Sequence, residues 1–417
     1  MNIIDTKNAG ELGDSYDFDG RCYHPSNEVS TVSIDGNFYQ SRTLEVDYKD
    51  RDVIERFGAK LRSTDWSGDW FGPFCDFRDS VKYFGDTERF PTGKRAIELL
   101  SPDLSENHDL TIVLNVGFGE TTAQFDLVKE EALKIARERG YKNPLFAGVN
   151  LSGRATLEYM ANTDRVVSIG FMDEINEART MFHALYDLGY LSEENVFIGH
   201  SMGNLNSMAM AEELAILNKV LSEKDAVRSK IAGVGSMMPV SDEPFGLAKS
   251  PRFLRTVAEF VCPAISQFLK RRGAIDLNPD QYNRTMFAGM GNEEDSRRAS
   301  LRGNPDSATR FLGVTFNPVR RFDLGQLEDV RFSVMQGAGD IVIPKKMVRR
   351  WNERLGENLG KDCGTFVHAE DFSHGMPSFP SDSQRNEVRM FLEGAMGKKG
   401  EERPADAMGD EDTMDVF

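Results

Sequence analysis

The chain has 417 residues, 40% of them hydrophobic, and carries 50 basic against 67 acidic side chains for a net charge of −17. That length suffices for a large core with an insertion, and so acidic a balance argues against a nucleic-acid partner, whose phosphates need a basic footprint. The opening residues lack the basic start and apolar run of a secretion signal, and no stretch is apolar for long enough to span a membrane, so a cytoplasmic protein is expected. Cys22, Cys75, Cys262 and Cys363 are scattered and too few to staple a chain of this size; they read as reduced thiols and not as a metal site.

In chain order, residues 1–90 form an extension expected to pack on the core. Thr31-Val32-Ser33-Ile34 and Phe38-Tyr39-Gln40 flank Asp35-Gly36, a hairpin signal, while Trp66, Trp70, Phe71 and Phe74 cluster as a plug for the core. Over 91–240, apolar runs of strand length alternate with helical patterns. Residues 110–115 give a strand that runs into Val116-Gly117-Phe118-Gly119-Glu120, and residues 145–149 give another, followed by a loop with Arg154. Ile175, Ala178, Phe182 and Leu185 mark one face of a helix ending near Gly189; Val196-Phe197-Ile198 is a short buried strand, and residues 231–235 are the next.

Residues 241–325 then interrupt the pattern, with Phe253, Val257, Phe260, Val261 and Phe268 on one apolar face. Strands return at 330–335 and 365–367. Val388, Phe391, Leu392 and Ala395 give a closing helix, and the acidic tail 397–417 is expected to be disordered. Such alternation predicts an α/β architecture, a mainly parallel sheet with helices on both faces.

The chemistry concentrates in Gly199-His200-Ser201-Met202-Gly203. A bare G-x-S-x-G arises by accident in roughly one chain in ten of this length. Here it follows a buried strand and precedes Leu205, Met208 and Ala209 at helical spacing, the pattern of a nucleophile elbow, in which glycines let strand and helix approach while the serine stands at the tip. A hydroxyl needs a base, and the base needs an acid to orient it.

His374, in a loop after the 365–367 strand, can swing over the sheet's carboxyl edge. His368 lies closer to the strand itself, His183 falls in a helix pattern, His200 points off the elbow, and His24 and His108 lie in polar stretches. Asp340 stands in the glycine-loosened loop that ends the 330–335 strand, so serine, acid and base follow in the order Ser201, Asp340, His374. The expected oxyanion donors are the backbone N–H groups of Met202, next to the serine, and of Phe118 in the glycine loop.

Taken together these residues resemble the α/β-hydrolase superfamily from about residue 94 to 396: the glycine loop, the elbow, Gly-x-x-Asp-x-x-x-Pro around Asp340 and His-Gly-x-Pro around His374 match in type and order. The chain departs at Val116, where many members carry histidine, which leaves the geometry of the Phe118 donor open. The resemblance implies an α/β-hydrolase fold with a core in two parts, 91–240 and 326–396, and a helical cap or lid at 241–325. It implies catalysis by Ser201, His374 and Asp340 with no metal or organic cofactor.

The expected activity is hydrolysis of an ester or thioester of a small or medium acyl substrate through an acyl-enzyme. The alternatives are acyl transfer with the same residues, or a catalytically silent hydrolase fold used for binding. Residues 241–325 hold 13 Lys and Arg against 10 Asp and Glu, a balance of +3 that leaves −20 for the remainder. These arginines either steer an anionic substrate or pair with the acidic core, and Arg154 is a further candidate for the steering role.

Overall fold

The computed structural model describes residues 16–18, 21–25, 29–34, 36–48, 95–151, 171–220, 229–242, 274–275, 279–288, 306–307, 322–327, 330–370, 372–375 and 384–397. Arg154, the Trp66, Trp70, Phe71 and Phe74 cluster, the apolar positions 253–268, Cys75, Cys262 and the tail after 397 lie outside them.

The strands are β1 (Tyr16–Phe18), β2 (Arg21–Pro25), β3 (Ser30–Ile34), β4 (Asn37–Tyr48), β5 (Arg95–Ser101), β6 (Leu110–Asn115), β7 (Pro144–Asn150), β8 (Glu194–His200) and β9 (Lys230–Met237), then β10 (Ala274–Ile275), β11 (Asp306–Ser307), β12 (Arg331–Gly337) and β13 (Gly364–Ala369). The helices are α1 (Asp126–Glu138), α2 (Phe171–Asp187), α3 (Gly203–Val220), α4 (Pro279–Thr285), α5 (Lys345–Leu359) and α6 (Arg385–Met396).

One sheet runs in the order β1-β2-β4-β5-β7-β6-β8-β9-β12-β13, with β3 paired to β4. From β7 to β13 all neighbours are parallel. β5 is antiparallel to both β7 and β4. The hairpin expected at Asp35-Gly36 is the β3–β4 turn, with Ile34 opposite Asn37. β4 then pairs with β5, so this part of the N-terminal extension lengthens the sheet.

Strands β6 and β7 are buried at every position, as both-face coverage requires. Successive residues of β9 locate the covering helices, because side chains alternate between faces. Gly235 lies against Phe391 and Ala395 of α6, whereas the Ser236 hydroxyl donates to Asn204 Oδ1 of α3 at 2.6 Å and accepts from Trp351 Nε1 of α5 at 3.2 Å. Helix α6 therefore covers one face and α3 with α5 the other. Val388, Phe391, Leu392 and Ala395 form its buried stripe, the spacing that the sequence carries.

The chain leaves β6 for β7 on one side and leaves β8 for β9 on the other. The carboxyl ends of β6 and β8 thus flank the point where the strand order switches. Among the described residues, no helix is long and apolar enough to cross a membrane.

Where the 241–325 stretch leaves and rejoins the core, its two ends meet. The buried Asp242 carboxylate accepts the Phe322 amide at 2.7 Å and pairs with Arg354 of α5, whose other nitrogen donates to the Phe322 carbonyl at 2.9 Å. Removing the guanidinium takes the charged partner from a fully buried carboxylate. Arg354→Met is therefore expected to destabilise the protein by about 3 kcal/mol, read as a lower urea midpoint, with Arg354→Lys losing less. An unchanged midpoint in Arg354→Met would show that the ends hold without the ion pair.

Candidate active site

Strand β8 ends at His200 and α3 begins at Gly203, so only Ser201 and Met202 make the turn. Ser201 has φ 55°, the left-handed region that a residue with a Cβ seldom occupies. Its backbone is held on both sides: the Ser201 amide donates to Met237 O at 3.0 Å, and its carbonyl accepts the Val240 and Asn204 amides at 3.2 Å each. The flanking glycines are needed for close approach. A Cβ on Gly199 would stand 2.4 Å from Asn204 Cα, and one on Gly203 would stand 2.3 Å from the Asn115 carbonyl oxygen at the end of β6.

Asp340 follows β12 and His374 follows β13, two adjacent parallel strands. Their loops are stitched together by the Ala338 and Gly339 amides, which donate to Ala369 O and Phe372 O at 2.9 Å each. Asp340 Oδ1 accepts the Val342 and Ile343 amides at 2.8 and 2.9 Å, which fixes the carboxylate plane. Its Oδ2 lies 2.9 Å from His374 Nδ1, and His374 Nε2 lies 2.9 Å from Ser201 Oγ. Since the carboxylate can only accept, Nδ1 carries the proton and Nε2 offers its lone pair to the serine hydroxyl. All three side chains are buried.

Burial works against a charge on His374, but the Asp340 carboxylate and its hydrogen bond, with a smaller contribution from Glu120, outweigh it and raise the imidazole above its ordinary value. His368 takes no part. It lies within β13 with its side chain 39% exposed, 3.6 Å from Glu370.

After β6 the chain turns tightly through Phe118 and Gly119, closed by the Glu120 amide on Gly117 O at 3.4 Å. The Gly117 amide donates to Glu120 Oε2 at 2.7 Å. This loop abuts the elbow so closely that a Cβ on Gly117 would be 2.7 Å from Ser201 Cβ. Gly117, next to Phe118, thus borders the serine from the β6 side, while Met202 follows Ser201 in the turn before α3. Helix α4 and the residue after it reach the β6 and His374 loops: the Tyr282 hydroxyl is 3.4 Å from Gly119 O and from Gln124 Nε2, and Met286 O, just past α4, accepts the Gly375 amide at 2.7 Å.

Sequence reasoning set His200 aside and gave Glu120 no role. Both are buried in the site, with His200 Nδ1 2.7 Å from Glu120 Oε2 and His200 Nε2 2.9 Å from the His374 carbonyl oxygen. The one available signal was a carboxylate directly after the glycine turn. Among the described residues, no group of three or more His, Cys, Asp or Glu is arranged to hold a metal ion.

Strand order and elbow together give this chain the α/β-hydrolase fold. No protein-family model matches the sequence, and no curated protein matches it. Solved structures similar to it include an extracellular α/β-hydrolase from a Paenibacillus species, at 12% identity and TM-score 0.45 over 69% of this chain and 100% of that one. An esterase from Rhodococcus aligns at 15% identity and TM-score 0.46 over 72% and 96% of the two chains. A monoacylglycerol lipase of Paleococcus ferrophilus aligns at 18% and 0.42 over 72% and 98%.

Gly203→Ala would drive a Cβ into the β6 backbone, so helix or strand must shift. The expected cost is about 1–3 kcal/mol, measured by urea unfolding; a variant as stable as the parent would mean that the elbow has slack the contacts do not reveal.

Proposed function

We propose that this protein is a serine hydrolase that cleaves a carboxylic ester or thioester of a small or medium acyl substrate. The observation that carries this reading is the buried row Ser201 Oγ, His374 and Asp340, joined by two contacts of 2.9 Å, with the serine at positive φ. His374 Nε2 takes the hydroxyl proton as Ser201 Oγ bonds to the substrate carbonyl carbon. The Phe118 and Met202 amides hold the resulting oxyanion. Collapse of the tetrahedral intermediate breaks the bond to the alcohol or thiol, which leaves with the proton from His374, and an acyl-serine remains. Water then attacks the acyl carbon, gives its proton to His374, and the second collapse returns that proton to Ser201 as the acid departs. Throughout, Asp340 orients the imidazole and stabilises its positive form.

Residues 241–325 are proposed as a cap over the site. Two observations support this: the meeting of their ends at Arg354, and the position of α4 against the Gly119 and Gly375 loops. The +3 balance of this stretch against −20 elsewhere is read either as basic residues pairing with the acidic core or as steering of an anionic substrate, with Arg154 a further candidate for the latter.

Ser201→Ala is expected to lower ester turnover on the order of 10⁶-fold with the fold intact, His374→Ala about as much, Asp340→Asn by about 10⁴-fold, and His368→Ala only slightly. In the parent, kcat/KM should fall on the acid side as His374 protonates, at a pH above the ordinary histidine value because that group is raised. Near-normal hydrolysis by Ser201→Ala, or a dispensable His374 beside an essential His368, would overturn the assignment. A product assay with added alcohol or amine separates hydrolysis from acyl transfer.

Replacing 243–321 by a short linker should leave the sheet folded yet change which acyl chains are accepted. Added salt should lower kcat/KM for an anionic ester more than for a neutral one of equal size. Equal salt dependence would make the basic residues structural partners of the acidic core.

A further inference from the structure

Behind Ser201 lies a second carboxylate–imidazole pair that the proposed reaction does not use. His200 is 0% exposed and Glu120 1%. The ring nitrogens of His200 face two oxygens, Glu120 Oε2 at 2.7 Å and the His374 carbonyl at 2.9 Å. A carbonyl and an ionised carboxylate can only accept, and a neutral imidazole has a single N–H, so it would leave one contact with two lone pairs face to face. An imidazolium donates to both. The contact to Glu120 has the length of a charge-assisted hydrogen bond. Glu120 itself is suited to ionisation: burial opposes its charge, but His200, His374 and the Gly117 amide outweigh burial and hold the carboxyl below the usual range.

The pair also bridges two parts of the site. Glu120 Oε2 accepts the Gly117 amide at 2.7 Å, on the loop of the proposed oxyanion donor Phe118. The other end of the bridge is the backbone of the proposed base, with the His200 and His374 rings 5.0 Å apart between centroids. We propose that Glu120 and His200 are positioning residues, a hydrogen-bonded carboxylate–imidazole pair that locks the Gly117 loop to the His374 backbone and thereby sets the base relative to the oxyanion site. This deepens the serine-hydrolase reading and rests on it for its catalytic consequence. Among the described residues, the titratable groups facing His374 are Asp340, Glu120 and His200, with Tyr282 of α4 bonded to the neighbouring Gly119 carbonyl.

The sign of the electrostatic effect follows. Glu120 is among the groups that raise His374. Without its charge, His374 loses one source of stabilisation for its protonated form, and any proton still held by His200 repels a second one nearby. Both effects lower the His374 pKa.

The test has two arms. In the first, the full-length protein is labelled with ¹⁵N-histidine. His200 is expected to show an N–H on each ring nitrogen, one toward Glu120 and one toward the His374 carbonyl, and both signals should persist in His374→Ala. A bare ring nitrogen on His200 would overturn the proposal. This arm needs no activity, so it stands apart from failure of the hydrolase reading, which would appear as a parent protein inert toward every ester.

In the second arm, Glu120→Gln should lower kcat by about 10²-fold with little change in KM, and move the acid limb of kcat/KM to lower pH. His200→Gln, which keeps one donor for the His374 carbonyl, should retain more activity than His200→Phe. A loss of activity with an unmoved acid limb would reduce the pair to packing and overturn the proposal. If Glu120→Gln fails to fold, the histidine spectra of the parent still decide.

Discussion

Three chain segments converge on the turn that carries Ser201, and their spacing constrains everything around it. The start of α3 rests on the end of β6 through Gly203, the end of β8 rests on α3 through Gly199, and the loop after β6 rests on Ser201 through Gly117. A left-handed serine costs on the order of 1–3 kcal/mol unless its surroundings over-determine it. Here the amide and carbonyl of Ser201 are both claimed by the segment that leaves β9, through Met237 and Val240. The strain is therefore borne by the central parallel strands, and the hydroxyl stands at their carboxyl edge, where the strand order switches.

Around this turn the fold buries charge in pairs. Asp340 spends one oxygen on two backbone amides and the other on His374, so its ionised form is satisfied from within the protein. Glu120 divides its acceptor capacity between the Gly117 amide and His200. An isolated buried carboxylate is costly; one that accepts two or three hydrogen bonds is held in place and can orient an imidazole. The two pairs meet in a single residue, since His374 accepts from His200 through its carbonyl and lies against Asp340 through its ring.

Much of this was legible in the sequence, for local reasons. The elbow announces itself because strand, glycine, serine, glycine and helix fall within one short run, and Asp340 and His374 each follow an apolar strand with a glycine close by. The Asp35-Gly36 hairpin was readable for the same reason. The Glu120–His200 pair was not. Its members are separated by 80 residues and meet only because β6 and β8 are neighbours in the sheet while β7 lies on the far side of β6. Strand order is a property of the whole sheet, and no periodicity within a strand encodes it. The pairing of that hairpin's β4 with β5 was illegible in the same sense, since it joins segments far apart in sequence.

Among the described residues, the stretch between β9 and β12 is attached to the core in two ways. At its roots, Asp242 and Phe322 are bound to each other and to Arg354 of α5. Because the ends are already together, the length between them can vary at small cost to the core: loop-closure entropy grows only with the logarithm of length. At α4 the attachment is to the site itself, where Met286 O holds the Gly375 amide, one residue beyond His374, and Tyr282 reaches the Gly119 carbonyl. A change in the seating of α4 would therefore be felt in the loops that carry Phe118 and His374. In the proposed reaction, substrate selection and the placement of the base would then share one short helix.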